Sequence, residues 1–157
     1  MGTHFLAVTR HNDIIINYLG HFKDNLSLNL LYNSADVCVL PSMQENLPYV
    51  IMESLACGTP VVAFAVDALP ESVPGGGWLV DANDYDAFTG KITEFFELSD
   101  PERAELSEKS REHAMENFTW DRTANQYLLA FSGGSRGIRE NDSSGPTENG
   151  YPERSSA

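Results

Sequence analysis

The sequence predicts an α/β domain, a parallel sheet with flanking helices. Two observations predict it. The short apolar runs "DVCVL" at 36–40 and "PVVAF" at 60–64 read as strands covered on both faces. Segments with helical spacing separate such runs, and strands that alternate with helices imply a parallel sheet with right-handed crossovers. Ligands of such sheets bind beyond the carboxyl ends of the strands. Residues 42–48 lie at one of those ends.

The elements follow in order. "IIINYL" at 14–19 is β-branched and apolar, reads as the first strand, and is stopped by Gly20. Residues 24–34 read as a helix with Asp24 as N-cap and Leu26, Leu30 and Leu31 on one face. After the strand that carries Cys38, residues 48–57 form a helix with Pro48 in its first turn and Gly58 just past its end. "PVVAF" is the next buried strand, and "GWLV" at 77–80 follows the turn "PGGG". Residues 84–98 are amphipathic, with Phe88, Ile92, Phe95 and Phe96 in one stripe. Asp100-Pro101 signals the start of a polar helix. A last helix, 119–131, carries Trp120, Tyr127, Leu128 and Phe131 as docking residues. From Ser132 the composition turns to Gly, Ser, Pro, Glu and Asn, as in a disordered tail. The expected division is a leader at 1–13, a domain at 14–131 and a tail at 132–157.

Composition narrows the function. The 157 residues suit one domain plus a tail, on a scale of about 100–200 residues per domain. A formal charge of −13 argues against nucleic acid and anionic membrane as partners, since both need basic patches. No run reaches the roughly 18 apolar residues of a membrane span, and the first residues lack the pattern of a signal peptide. A cytoplasmic location is expected. The two cysteines, Cys38 and Cys57, read as buried free thiols. The four histidines show no ligand spacing, so no metal site is expected.

"ENLPYVIMESLACGTPVVAF", 45–64, carries the chemistry. Its helix is apolar around most of its circumference, with Val50, Ile51, Met52, Leu55 and Ala56, yet it holds Glu53. An unpaired carboxylate in such a buried helix costs several kcal/mol unless it is hydrogen-bonded, protonated or facing a cleft. One reading pairs Glu53 with a buried Arg or Lys, or with a backbone turn. The other gives it hydroxyl donors. A carboxylate is acceptor-only with two oxygens, which suits a vicinal diol. The loop "QENLP" runs into a helix N-terminus, whose free N–H groups and dipole favour a phosphate. An anion seat with Glu45 before it and Glu53 two turns into it fits a nucleotide-sugar.

The same stretch resembles the signature of the retaining glycosyltransferases of family 4, the glycosyl transferases group 1 of GT-B fold: Glu-x7-Glu, then a small residue, Gly-x-Pro-Val-Val. Similarity extends through "YLGHF…LLYNSADVCVLPS" and "LPESVPGGGWLVDANDYDAF", in all about residues 14–97. The resemblance implies the Rossmann-like carboxy-terminal half of such an enzyme, one that binds a nucleotide-diphosphate sugar. It implies Glu45 as the catalytic and sugar-contacting carboxylate. Asn46, Leu47 and Pro48 would line sugar and phosphates, Glu53 would hold the ribose diol, and Gly20, His21 and Phe22 would lie near the base. Phe22 reads equally well as core. No cofactor or obligatory metal is implied. Where the family carries Gly-Gly, this chain has Asp67-Ala68. The family's phosphate-binding Arg and Lys and its amino-terminal domain match nothing here, which implies a truncated or split module needing a partner chain.

Three further patterns have other readings. "DYD" at 84–86 resembles a metal-binding Asp-x-Asp, but it opens a helix, where capping explains it. "PGGGW" precedes a strand and reads as a turn, not a phosphate loop. Leu98–Arg122 reads as a solvated, charge-rich face. A glycoside hydrolase using Glu45 and Glu53 as its carboxylate pair is the rival enzyme class.

Overall fold

The computed structural model describes residues 7–134, apart from 47, 68 and 74. The elements are β1 (Ala7–His11), β2 (Ile14–Tyr18), α1 (Asn25–Asn33), β3 (Cys38–Leu40), α2 (Tyr49–Ala56), β4 (Val61–Phe64), α3 (Leu69–Ser72), β5 (Gly77–Val80), α4 (Tyr85–Glu97), α5 (Asp100–Asn117) and α6 (Trp120–Gly134). The chain divides into two compact units, Met1–Arg122 and Thr123–Ala157.

Within the first unit, β3, β4 and β5 form a parallel sheet in that order, with Cys38 opposite Val61 and Val61 opposite Gly77. All four residues of β4 are fully buried. Their side chains alternate between two cores. Val61 and Ala63 pack with Ile51, Leu55, Leu69, Val73 and Ala114. Val62 and Phe64 pack with Val80 and Phe88. Helices therefore cover both faces, as continuous apolar runs require. The Phe64 and Phe88 rings lie 4.8 Å apart, a distance for favourable aromatic packing. β5 passes so close to β4 that a Cβ on Gly77 would overlap the Val61 carbonyl oxygen.

The caps account for the helix starts. Asp24 accepts the Ser27 N–H at 2.8 Å and Asp84 accepts the Ala87 N–H at 2.9 Å. The "DYD" motif is thus a helix start. The next helix begins at Asp100, as expected, but its cap is Ser99: the Glu102 carboxylate accepts the Ser99 N–H at 2.8 Å in a capping box. Gly58, at φ +77°, ends the turn after α2, and Gly75, at φ +86°, makes the turn before β5.

Several expectations are corrected. "IIINYL" does not join the parallel sheet. β2 pairs antiparallel with β1, His11 opposite Ile14, across the two-residue turn Asn12-Asp13 with Asn12 at φ +53°. Asn in that conformation suits a tight hairpin, and a neighbouring partner closes with little loop entropy. Every residue of β2 is exposed, Ile14 at 63%. On α1, Leu26 and Leu30 are exposed, while Leu28, Leu31 and Tyr32 are half-buried. Phe96 is exposed, whereas Phe88 and Phe95 are buried. α5 is not wholly solvated: it packs against α2 and buries Ser110 and Ala114. Cys38 and Cys57 are half-buried free thiols. Trp120, Tyr127, Leu128 and Phe131 are exposed, Trp120 at 86%. α6 runs to Gly134, and the rest of the expected tail lies outside the described residues, as do residues 1–6 of the expected leader.

Gly77→Ala tests the close approach of β4 and β5. The added methyl meets rigid backbone, so it should destabilise the domain by about 2 kcal/mol or more. Urea unfolding checks this as a lowered midpoint with an unchanged slope.

Candidate functional site

Two loops leave the carboxyl ends of the neighbouring parallel strands β3 and β4. The first, 41–48, enters α2, and its Pro48 is the N-cap, extended at φ −72° and ψ 122°. Proline offers no side-chain acceptor there, so the first turn of α2 gains no side-chain cap. The second, 65–68, enters α3 and holds Asp67 at φ +47°. The loops are tied: the Glu45 backbone N–H donates to Asp67 Oδ2 at 2.9 Å. This contact fixes the loop at Glu45, whose side chain is half-buried, and leaves Asn46 exposed. Leu47 lies outside the described residues.

Glu53 projects from the second turn of α2. The helix is less enclosed than its composition suggests: Tyr49 and Val50 are exposed, Ile51, Ser54 and Leu55 are buried, and Glu53 is half-buried. Its partner is neither a cation nor a backbone turn. The Tyr32 hydroxyl donates to Glu53 Oε2 at 3.1 Å. Burial first, then the neighbouring Glu53 carboxylate, push the Tyr32 phenol well up, so it stays a neutral donor. A cavity of about 270 Å³ opens here, lined by Asn25, Asn29, Tyr32, Glu53 and Cys57 among others. Glu53 thus faces a cavity with two amides and a phenol, groups that can hydrogen-bond a polar ligand.

A buried network holds this pair in place. The Ser54 hydroxyl donates to the Thr59 carbonyl at 2.8 Å, and the Thr59 hydroxyl donates to the Tyr32 carbonyl at 2.7 Å. The end of α1 is thereby fixed to the turn that follows α2. Arg111 Nη1 donates to the Ala56 carbonyl at 2.9 Å, placing a cation at the carboxyl end of α2, where the helix dipole favours one. Beside it the Cys57 thiol accepts from Asn29 at 3.6 Å. Burial pushes the Cys38 and Cys57 thiols up; Arg111 opposes this at Cys57.

The remaining sequence-derived candidates sit on the approach to α1. Gly20, at φ +72°, and His21 are exposed, and Phe22 is half-buried. They precede Asn25 by a few residues in the chain, and none of them lines the cavity. Glu45 and Glu53 have separate partners, Asp67 and Tyr32. Sequence reasoning missed Tyr32, which as a lone aromatic on a helix looks like core. It did single out Asp67, as an acid in the place of a glycine.

The profile of the family described as "Glycosyl transferases group 1" matches residues 5–97. Among curated proteins, the chain is 41% identical over 104 residues to D-inositol 3-phosphate glycosyltransferase of Mycolicibacterium smegmatis, which covers 65% of this chain and 23% of that protein. It is 34% identical over 116 residues to O-antigen chain mannosyltransferase B of Escherichia coli, covering 74% of this chain and 30% of that protein. Among solved structures, sucrose-phosphate synthase from Thermosynechococcus elongatus superposes with a TM-score of 0.61 at 33% identity, over 73% of this chain and 29% of the other. The chain therefore spans less than a third of the length of these relatives. The likeness supports the α/β reading of parallel sheet and flanking helices, in the Rossmann-like form of the GT-B enzymes. Among the described residues no helix is long and apolar enough to cross a membrane.

The raised groups make stability fall on the alkaline side. A group whose pKa is higher in the folded protein stabilises it below the unfolded pKa, and that contribution is lost as pH rises. Melting temperature should drop past about pH 8.5, where unfolded thiols ionise, and again past about pH 10, where the unfolded Tyr32 phenol does. Calorimetric scans from pH 7 to 11 check this. In Tyr32→Phe the second drop should flatten; a drop of unchanged size would show that Tyr32 does not carry it.

Proposed function

The chain belongs to the group 1 glycosyltransferases, and we propose that it is the part of such an enzyme that binds a nucleotide-diphosphate sugar. One observation carries the reading: two carboxylates, eight residues apart, flank the entry of a helix that no side chain caps, at the carboxyl end of a parallel strand. In this reading the diphosphate lies against the first turn of α2, where N–H groups and the helix dipole favour an anion. Glu53, held by Tyr32, takes the ribose hydroxyls. Glu45 contacts the hydroxyls of the transferred sugar, and Asn46, Leu47 and Pro48 line it and the phosphates. Gly20, His21 and Phe22 lie toward the base.

The reaction proposed for the complete machinery is transfer of the sugar to an acceptor hydroxyl with retention at the anomeric carbon. The remaining parts, on this polypeptide or on a partner chain, supply the acceptor site and the cations that balance the leaving diphosphate. Charge on that group would be met by the helix end and those cations, without an obligatory metal.

Calorimetric titration with nucleoside diphosphates and nucleotide-sugars tests the donor site. Glu53→Ala should weaken binding by about 1–3 kcal/mol, the scale of a charge-assisted hydrogen bond. Wild-type binding that survives the substitution undiminished would remove the ribose role. Release of sugar from a nucleotide-free glycoside would favour a hydrolase instead.

A further inference from the structure

The contact between Glu45 and Asp67 does more than join two loops. The Glu45 N–H stands on the approach to α2, and a carboxylate already occupies it at 2.9 Å. Asp67 reaches that place from the carboxyl end of the central strand. Its backbone is left-handed, at φ +47°, a conformation that Gly adopts freely and most other residues do not. An acid is thus fixed on the loop that the donor reading sets beside the sugar and diphosphate. The cations with described partners lie elsewhere: Lys91 on Glu94, Lys109 on Glu105, Arg103 on the Phe96 and Leu98 carbonyls, Arg111 on the Ala56 carbonyl and Arg122 on the Glu116 carbonyl.

We propose that Asp67 is a charge filter at the donor site, disfavouring a nucleoside diphosphate relative to the corresponding nucleotide-sugar. The proposal rests on the donor reading above. The two ligands share base, ribose and diphosphate. The free diphosphate carries more negative charge, because its terminal phosphate is not esterified. Fixed anions repel that charge in proportion, and at an exposed residue such as Asp67 the repulsion is strongest at low salt. The residue would speed release of the spent nucleotide and would leave the sugar-bearing form to compete for the site.

Asp67→Asn is the informative variant. It keeps an oxygen to accept the Glu45 N–H, Asn tolerates the left-handed backbone, and only the charge is lost. Asp67→Gly is the second variant, relieving the backbone and removing the whole side chain. The 157-residue chain and both variants are titrated with UDP and UDP-glucose, GDP and GDP-mannose, and the neutral nucleosides, at low and high salt. Thermal melting confirms folding in each case. In Asp67→Asn the preference should shift toward the free diphosphate by about threefold or more at low salt, and less at high salt. Nucleoside affinity should not move, and Asp67→Gly should shift the preference in the same direction. Binding with an unchanged ratio in the folded variants overturns the filter alone. Absence of binding by wild type and both variants overturns the donor reading, and the filter with it.

Discussion

Four consecutive residues, Val61–Phe64, are shut off from water on both faces, and the rest of the structure follows from sealing them. A strand apolar on both sides needs a neighbour along each edge and a helix over each face. β3 and β5 supply the edges, α2 with α5 covers one face, and α4 covers the other. Because the three strands run parallel, the loops after β3 and β4 emerge side by side. Glu45 and Asp67 come within hydrogen-bond distance for that reason, although they are far apart in sequence. The joining of the two loops is thus a by-product of burying β4.

The two carboxylates of the Glu-x7-Glu spacing are held by different devices. Glu45 is fixed through its backbone, from a loop on the next strand. Glu53 is fixed through its side chain, by a phenol whose own helix is tied by Thr59 to the turn after α2. Buried hydroxyls do the tying, and each has its partner, so the link stabilises the fold without leaving an unsatisfied group. A half-buried carboxylate with one neutral donor keeps acceptor capacity to spare, as a ligand-binding group requires.

The legible parts of the sequence were those whose signal is local or periodic. The β4 run, the α2 entry and exit at Pro48 and Gly58, and the caps Asp24 and Asp84 belong to this class. The misread parts depend on choices between partners. "IIINYL" has the composition of a buried strand, yet Asn12-Asp13 offers it an antiparallel neighbour across a tight turn. The face of α1 was assigned to Leu26, Leu30 and Leu31, of which only Leu31 is half-buried, because three leucines outweigh one tyrosine in any apolar count. The tertiary hydrogen bonds of Tyr32 select the opposite side. Ser99 was passed over for Asp100-Pro101, although Glu102 stands three residues after it in the order of a capping box. In the site, Glu45 and Glu53 were visible from spacing, whereas Tyr32 was not, because a phenol that supports a carboxylate has no pattern along the chain.

The central claim is that a nucleotide-sugar seats over the entry of α2, between Glu45 and Glu53. Amide chemical-shift mapping tests it most directly. The isotope-labelled chain would be titrated with UDP-glucose and, separately, with GDP-mannose. The account predicts saturable shifts at Glu45, Asn46, Tyr49 and Val50, at the first turn of α2, extending to Asn25 and Tyr32. Saturable shifts confined to α4, α5 or the β1–β2 hairpin, with the amides of 45–53 unmoved, would contradict it.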